Sequence, residues 1–314
     1  MALDTIGRDI EFTSGSVLCA SRHQFHRVAF TDWGSGERGT VICVHGLTRQ
    51  GRDFDYLAKG LAKKGFRVVC PDIVGRGLSD RLAVPGDYDL PQYVLDMTTL
   101  IASLGAREVD WVGCSLGGQI GIILAGMSNS PIRRLLVNDI GPHLPLDAVM
   151  RIGNYVRSGP AHFASKQDVD AYFREILAPF GQLTEAQWHH LASHSVMPDN
   201  LGGYRLRYDR MIVHGFKLPW RYARQLWAFW DRIKCPTLIL RGAQSDLLLL
   251  STASEMLNRN PHARLLEIPH CGHLPPLLED SQIEMVCDWM MGKEIGELST
   301  SSPGGRRAGS TTAR

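Results

Sequence analysis

The sequence predicts an α/β protein with a mostly parallel central sheet, helices on both faces of that sheet and an inserted helical cap. Short apolar runs such as Thr40–Val44 and 236–241 are typical of strands that are covered on both faces. Longer segments with apolar residues at helical spacing separate these runs, and strands that alternate with helices in this way form parallel sheets. The loss of strand patterns between residues 142 and 233 predicts the cap.

The predicted elements follow one another in a regular order. Residues Phe25–Trp33 alternate apolar and polar side chains, as a half-buried strand does. The next runs predict a strand at Thr40–Val44, a helix at 53–64, a strand at 66–70, a helix at 90–104, a strand at 109–112, a helix from 120 and a strand at Ile132–Asn138. After the cap, the order resumes with a strand at 236–241, a helix at 252–260, a strand at Ala263–Ile268 and a helix at 281–291.

The same patterns predict the domain organisation. Residues 1–141 and 234–291 form the predicted α/β core. Residues 142–233 form the predicted cap, which we expect to be all helical, with helices around 146–156, 168–177, 184–192 and 222–230. Ser, Thr, Gly and Arg dominate residues 292–314, and a segment with so few apolar side chains is predicted to be a disordered tail.

Composition excludes several classes of function. The 314 residues are 44% hydrophobic and 21% charged, which is ordinary for a globular protein. A formal net charge of +2 shows no basic excess, so nucleic acid is not an expected partner. No apolar run approaches the ~20 residues of a membrane span, and no secretory signal is recognised at the start. Seven cysteines without C-x-x-C spacing favour buried thiols, so we expect a reduced, cytoplasmic protein; its oligomeric state is left open.

One stretch carries a motif for nucleophilic catalysis. A β-prone run that begins at Val109 leads into Gly113-Cys114-Ser115-Leu116-Gly117, and an apolar helical run starts near Ile120. A G-x-S-x-G motif between a strand and a helix is typical of a nucleophile elbow, which exposes the serine hydroxyl at the end of the strand. Glycines on both sides of the serine let the backbone pass closely. The pattern therefore predicts that Ser115 is a nucleophile.

Together with this motif, several others make the chain resemble the α/β-hydrolase superfamily, in the branch with a cap after the sixth strand. The resemblance covers residues 25–291 and rests on these motifs: His45-Gly46, Asp72 with Gly75-Arg76-Gly77-Leu78-Ser79-Asp80, Gly113-Cys114-Ser115-Leu116-Gly117-Gly118, Gly242 with Ser245-Asp246, and Gly272-His273. The fold hosts many chemistries, so the motifs say much less about the substrate.

The resemblance implies a catalytic triad in the chain order Ser115, Asp246, His273. His273 is the expected base, in preference to His270, because of its position in the loop after the last strand. Asp246 is the expected acid. Asp139 is the alternative acid, because it also follows a strand and some members of the superfamily take their acid from that place.

The resemblance also implies an oxyanion hole made by the backbone N–H groups of Leu116 and Leu47. His45, next to that loop, is expected to be structural, as is the loop from Asp72 to Asp80. The pattern His189-His190…His194 is interpreted as a solvated helix face, because it lacks the glutamate of an H-E-x-x-H site. We therefore expect neither a metal nor a cofactor.

A serine at the elbow argues against the dehalogenases and epoxide hydrolases of the superfamily, which carry aspartate there. The predicted function is hydrolysis of a carboxylic ester of a small to medium, apolar substrate through an acyl-enzyme. Four of the seven tryptophans lie in the predicted cap, which favours an apolar substrate. Two alternatives stay open: a lactonase or C–C bond hydrolase with the same triad, and a ligand-binding protein of this fold with slow turnover.

Overall fold

An eight-stranded sheet forms the centre of the protein in this computed structural model, which describes residues 10–215 and 226–295. Its strands are β1 (Phe12–Ala20), β2 (Phe25–Trp33), β3 (Thr40–Val44), β4 (Arg67–Pro71), β5 (Val109–Cys114), β6 (Ile132–Asn138), β9 (Thr237–Gly242) and β10 (Ala263–Ile268). They lie in the order β1-β2-β4-β3-β5-β6-β9-β10. Strand β2 is antiparallel to β1 and β4, and all the other neighbours are parallel, so the predicted fold class is confirmed.

Helices connect the parallel strands. The α-helices span Asp55–Lys63, Leu90–Ser103, Leu116–Gly126, Leu146–Ser158, Lys166–Ile176, Glu185–Ser195, Leu250–Arg259 and Asp280–Met290, and residues 226–230 are also helical. Short 3₁₀-helices lie at Gly51–Phe54, Pro85–Asp87, Ala178–Phe180 and Arg210–Gly215. The helices Asp55–Lys63 and Asp280–Met290 pack closely. A Cβ on Gly60 would lie 2.5 Å from Cγ2 of Ile283, so this contact requires a glycine.

A strand is easier to predict from the sequence when more of its residues are buried, because burial requires apolar side chains. Every residue of β3 is buried, and its sequence is a continuous apolar run, as expected for a strand covered on both faces. Strand β1 is absent from the sequence-based prediction. It forms the edge of the sheet, and most of its residues, which include Ser14, Gly15 and Ser16, are exposed or half-buried, so little apolar pattern marks it.

The segment between β6 and β9 is not all helical, so that expectation is wrong in part. Besides its helices it holds a two-stranded antiparallel ribbon, β7 (Val196–Pro198) and β8 (Tyr204–Leu206). Each strand has only three residues, which is too short for a periodic pattern, and the turn uses Gly202 and Gly203 at φ values of 81° and 77°. We call residues 142–233 the cap segment; the division into core, cap and tail stays a prediction.

Some sequence-based expectations lie outside the described residues. They concern residues 1–9, the part of the helix predicted at 222–230 that precedes Leu226, and the tail from residue 296 onward. Among the helices of the described ranges, none has the length and apolar character that a membrane span requires. All seven cysteines lie in these ranges and are free thiols.

Candidate active site

Ser115 stands at a sharp turn between β5 and the helix Leu116–Gly126. Its backbone has φ 49° and ψ −112°, a conformation that non-glycine residues rarely adopt. The flanking glycines are required by close contacts. A Cβ on Gly113 would lie 2.3 Å from the Gly117 oxygen, and a Cβ on Gly117 would lie 2.0 Å from the Val44 oxygen. The turn therefore closes only with glycine at both positions, and the serine projects from its apex.

His273 pairs with Asp139. The Nδ1 atom of His273 lies 2.7 Å from Oδ2 of Asp139, whose side chain is completely buried. The Asp139 carboxylate also accepts hydrogen bonds from the Gly242 N–H at 2.9 Å, the Ser245 hydroxyl at 2.6 Å and the Leu274 N–H at 3.1 Å. A carboxylate with four donors is rigidly oriented. It selects the histidine tautomer with the proton on Nδ1, which leaves Nε2 as the acceptor.

The structure corrects the expectation that Asp246 is the partner of this histidine. Both carboxylate oxygens of Asp246 accept hydrogen bonds from the Arg151 guanidinium, at 2.6 to 3.0 Å, and its side chain is 54% exposed. The physical reason lies in the loop after β9. Gly242 and Ser245 turn their donors toward Asp139, so this loop supports an acid that comes from the end of β6. The alternative acid of the sequence analysis is the one in contact with His273.

The other histidine candidate lies elsewhere. His270 is exposed, has φ 56° and does not line the cavity that contains Ser115, whereas His273 does. The loop that carries His273 is fixed to the core and to the cap segment. The Asn138 side chain donates to the Pro275 oxygen at 2.8 Å, and the Gly272 N–H donates to the Pro179 oxygen at 2.7 Å.

The loop after β3 passes close to Ser115. A Cβ on Gly46 would lie 3.5 Å from the Ser115 Cβ. The Arg76 guanidinium, almost wholly buried, donates to the Leu47 oxygen at 2.8 Å and so fixes this loop. The N–H of Leu116 belongs to the first turn of its helix, where backbone donors have no acceptor within the helix. Leu47 lines the same cavity as Ser115, and Leu116 directly follows the serine; their role as oxyanion donors stays a prediction.

His45 is buried beneath the same loop. Its Nδ1 lies 2.6 Å from the Gly46 oxygen, and its Nε2 accepts the Ile73 N–H at 2.9 Å. Burial lowers the pKa of His45 to about 3, with a smaller contribution from the nearby Arg76 and Arg49 cations. His45 is therefore a neutral, doubly hydrogen-bonded group that links two loops.

A cavity of about 90 Å³ contains Ser115 and His273. The core supplies one side of it and the cap segment the other. Its remaining lining residues are Gly46, Leu47, Thr48, Arg49, Arg151, Ile152, Tyr155, Ile176, Leu177, Pro179, Phe180 and Leu274. The walls are mainly apolar, with a small number of polar groups at defined positions. This combination is typical of a small-molecule site.

The sequence patterns do not indicate the polar groups of this cavity. The hydroxyls of Thr48 and Tyr155 lie 2.8 Å apart and join the core to the cap segment, and burial raises the pKa of Tyr155. Arg49 and Arg151 also line the cavity. Ser245 belongs to the motif of Gly242 with Ser245-Asp246, but the sequence alone assigned no function to its hydroxyl. No motif marks Arg151 or Tyr155, because each is an ordinary residue of an amphipathic helix.

Two further expectations concern thiols and the histidines of the cap segment. Burial raises the pKa of Cys114 and of Cys271 to about 12, so both thiols stay protonated, in line with the buried thiols that the cysteine pattern favours. The expected solvated histidine face is wrong in part, since His190 and His194 are half-buried. With Asp55 their potential metal-binding atoms lie within 4.8 Å of one another, although His190 Nε2 already lies 2.8 Å from a backbone oxygen.

Comparisons with known proteins identify the family of the chain. A family model described as the alpha/beta hydrolase fold matches residues 39–280, and the chain belongs to this family. The chain is 42% identical to the 3-hydroxybutyrate-oligomer hydrolase of Cupriavidus necator over 288 residues, which cover 88% of this chain and 97% of the relative.

Two solved structures are also similar. An α/β hydrolase from Novosphingobium aromaticivorans has a TM-score of 0.79 and 31% identity, over 90% of this chain and 98% of its own. A putative hydrolase from Rickettsia typhi has a TM-score of 0.80 and 28% identity, over 90% of this chain and all of its own. The protein is a hydrolase of the α/β fold.

Proposed function

We propose that this protein is a serine esterase that hydrolyses short oligoesters of 3-hydroxybutyrate, with Ser115, His273 and Asp139 as its triad. The observation that carries the chemistry is the His273–Asp139 hydrogen bond of 2.7 Å at the cavity that also contains Ser115. The observation that supports the substrate is the 42% identity to a 3-hydroxybutyrate-oligomer hydrolase along nearly its whole length.

The proposed mechanism has two half-reactions. His273 Nε2 takes the proton from the Ser115 hydroxyl as Oγ attacks the ester carbonyl, and Asp139 stabilises the imidazolium that forms. The N–H groups of Leu47 and Leu116 donate to the oxyanion of the tetrahedral intermediate. Collapse of this intermediate breaks the ester C–O bond, and the leaving alcohol takes the proton from His273. Water, activated by the same histidine, then hydrolyses the acyl-enzyme.

The size and lining of the cavity support a short acyl group. Its volume of about 90 Å³ is far below the roughly 300–1,000 Å³ of pockets for drug-sized ligands. Leu47, Ile152 and Phe180 offer apolar contacts for a methyl branch, whereas Thr48 and Tyr155 offer hydroxyls for a polar atom of the substrate. A branched hydroxyacyl unit combines these two requirements.

The proposed function also concerns the cap segment and the location of the protein. We propose that the cap segment covers the site, because it supplies cavity residues such as Arg151 and Phe180, and that the protein acts on a small molecule in the cytoplasm. Lactone or C–C bond hydrolysis and slow-turnover ligand binding remain the alternative predictions, and they give different results in the experiment below.

The test is hydrolysis of the linear 3-hydroxybutyrate trimer, followed by chromatography of the released acids. The wild type, Ser115→Ala and Ser103→Ala are compared. Ser103 is an exposed serine whose hydroxyl donates to the Leu100 oxygen, and it serves as the matched control. We expect turnover by the wild type and the control, and a loss of at least ~10³-fold in kcat for Ser115→Ala.

Other outcomes separate the alternatives. A wild type that leaves the trimer intact but opens a lactone or cleaves a vinylogous diketone would move the assignment to the second class of enzyme. A single acylation of Ser115 without turnover of any of these substrates would favour the ligand-binding class. Equal turnover by wild type and Ser115→Ala would contradict the proposed mechanism.

A further inference from the structure

An arginine that the proposed chemistry does not use lies at the active-site cavity. Arg151 belongs to the helix Leu146–Ser158 and lines the cavity with Ser115 and His273. Its side chain is 49% exposed, so it stands at the solvent side of the site. The planar guanidinium binds carboxylates through paired hydrogen bonds. Such a group beside a reacting serine is suited to hold an anionic part of the substrate.

The present partner of Arg151 is easily displaced. The guanidinium donates from Nε and Nη2 to the Asp246 carboxylate, at 3.0 and 2.6 Å from Oδ2. Both side chains are about half exposed, and an exposed ion pair is weak and screened by salt. The free energy lost when Asp246 leaves is therefore small. Another carboxylate can take its place.

The second arginine of the cavity is held differently. Arg49 is 5% exposed and donates to both carboxylate oxygens of Asp53, at 2.6 and 2.8 Å. Asp53 is itself 16% exposed, so a substrate that displaced it would leave a mostly buried carboxylate without its partner, which is costly. Of the two arginines that line the cavity within the described ranges, only Arg151 is paired in a way that permits exchange.

We propose that Arg151 binds the free terminal carboxylate of the oligoester, and that Asp246 occupies this position when no substrate is bound. The inference rests on the proposed function. In a 3-hydroxybutyrate oligomer the terminal carboxylate is three bonds from the last ester oxygen, so both groups fit one small site. The step breaks that last ester C–O bond and forms the bond from Ser115 Oγ to the acyl carbon. The departing oxygen takes the proton from His273, and a 3-hydroxy acid leaves.

The experiment compares three forms of the 3-hydroxybutyrate trimer: the free acid, its methyl ester and the acid acetylated at its hydroxyl end. Steady-state kinetics are measured for the wild type, Arg151→Gln and Asp246→Asn. Arg157→Gln is the matched control, since Arg157 lies on the same helix, pairs with Asn154 and is not among the cavity residues. The scissile esters are read by chromatography, so that loss of the methyl group is counted separately.

We expect the wild type and Arg157→Gln to prefer the free acid and the acetylated acid over the methyl ester by about tenfold in kcat/KM, as for a charge-assisted hydrogen bond near the surface. Arg151→Gln should raise KM for the two acids about tenfold and bring the ratio of acid to methyl ester near one. Asp246→Asn should lower KM for the acids a few-fold, because it removes the competing carboxylate.

Two results would overturn the inference without touching the proposed function. One is a wild type that cleaves acid and methyl ester equally well. The other is an Arg151→Gln variant that loses activity on all three substrates by the same factor, because a purely structural role would give this result. If the wild type cleaves none of the three while a fluorophosphonate still labels Ser115, the proposed function fails and the carboxylate subsite fails with it.

Discussion

Two aspartates at the ends of neighbouring strands differ in almost every physical respect. Asp139 follows β6 directly, has no exposed side-chain surface and accepts hydrogen bonds from His273, Ser245 and two backbone N–H groups. Asp246 lies four residues beyond β9, is 54% exposed and contacts Arg151 of the cap segment. Because β6 and β9 are parallel neighbours, the loops that follow them lie side by side at the carboxyl ends of the strands.

The difference shows what makes a carboxylate a partner of the catalytic base. Position after a strand is common to both residues. Asp139 has a positive φ of 55° and is buried with hydrogen bonds from the core, as a buried charge requires. The donors of Asp246 belong to a half-exposed arginine. Burial with satisfied hydrogen bonds, rather than order along the chain, separates the oriented carboxylate from the one in solvent.

The largest expected effect comes from removing one carboxylate at a time. Asp139→Asn should lower kcat for p-nitrophenyl butyrate about 10³–10⁴-fold, because the amide cannot stabilise the imidazolium and favours the wrong tautomer. Asp246→Asn should change it less than about threefold. Similar losses of kcat in the two variants would contradict the distinction between Asp139 and Asp246.

Stability should separate the same two residues. Asp139→Ala leaves the Gly242 N–H, the Leu274 N–H and the Ser245 hydroxyl without their acceptor, so the free energy of unfolding should fall by about 2–4 kcal/mol. Asp246→Ala removes an exposed ion pair and should cost less than about 1 kcal/mol. Urea unfolding of both variants measures the difference, and an equal cost would contradict it.

The comparison is sharpened by a residue that lies between the two carboxylates in the chain. Ser245 donates to Asp139 at 2.6 Å, and its Oγ also accepts the Leu247 and Leu248 N–H groups. Ser245→Ala should lower kcat about tenfold, which corresponds to the ~1.4 kcal/mol of one lost hydrogen bond. An unchanged kcat would show that the backbone donors alone orient the acid. Ser193→Ala, an exposed hydroxyl on a cap helix, is the control.

A separate effect, on stability rather than on rate, concerns pH and the buried loop after β3. The pKa of His45 lies near 3 in the folded protein and near 6.5 in the unfolded chain. Between these values only the unfolded chain takes up the proton, so the free energy of unfolding should fall as the pH drops from about 6.5 toward 3. The slope from this group approaches ~1.4 kcal/mol per pH unit. His45→Gln should lack this contribution; equal slopes in the two proteins, by urea unfolding from pH 7 to 4, would argue against it.

Part of the fold and of the site can be predicted from the sequence, but the choice between the two aspartates cannot. The parallel strands and the serine turn are predictable because apolar runs indicate burial and glycines indicate close backbone contact. The prediction of His273 rests instead on the resemblance to the α/β-hydrolase superfamily. The choice between Asp139 and Asp246 is not predictable, because both follow strands and the decisive donors come from residues about a hundred positions away. Strand β1 and the β7–β8 ribbon lack an apolar periodicity that would predict them. Arg151 has the sequence context of an ordinary surface residue, and only the fold places it at the cavity.

The role of Asp139 as the partner of the catalytic base can be tested by the rate at which a fluorophosphonate labels Ser115 in the wild type, Asp139→Asn and Asp246→Asn. Labelling needs an activated serine but no particular substrate. We expect labelling near the wild-type rate in Asp246→Asn and a loss of at least ~10²-fold in Asp139→Asn, because only that variant disturbs the partner of His273. Fast labelling in Asp139→Asn together with slow labelling in Asp246→Asn would contradict it.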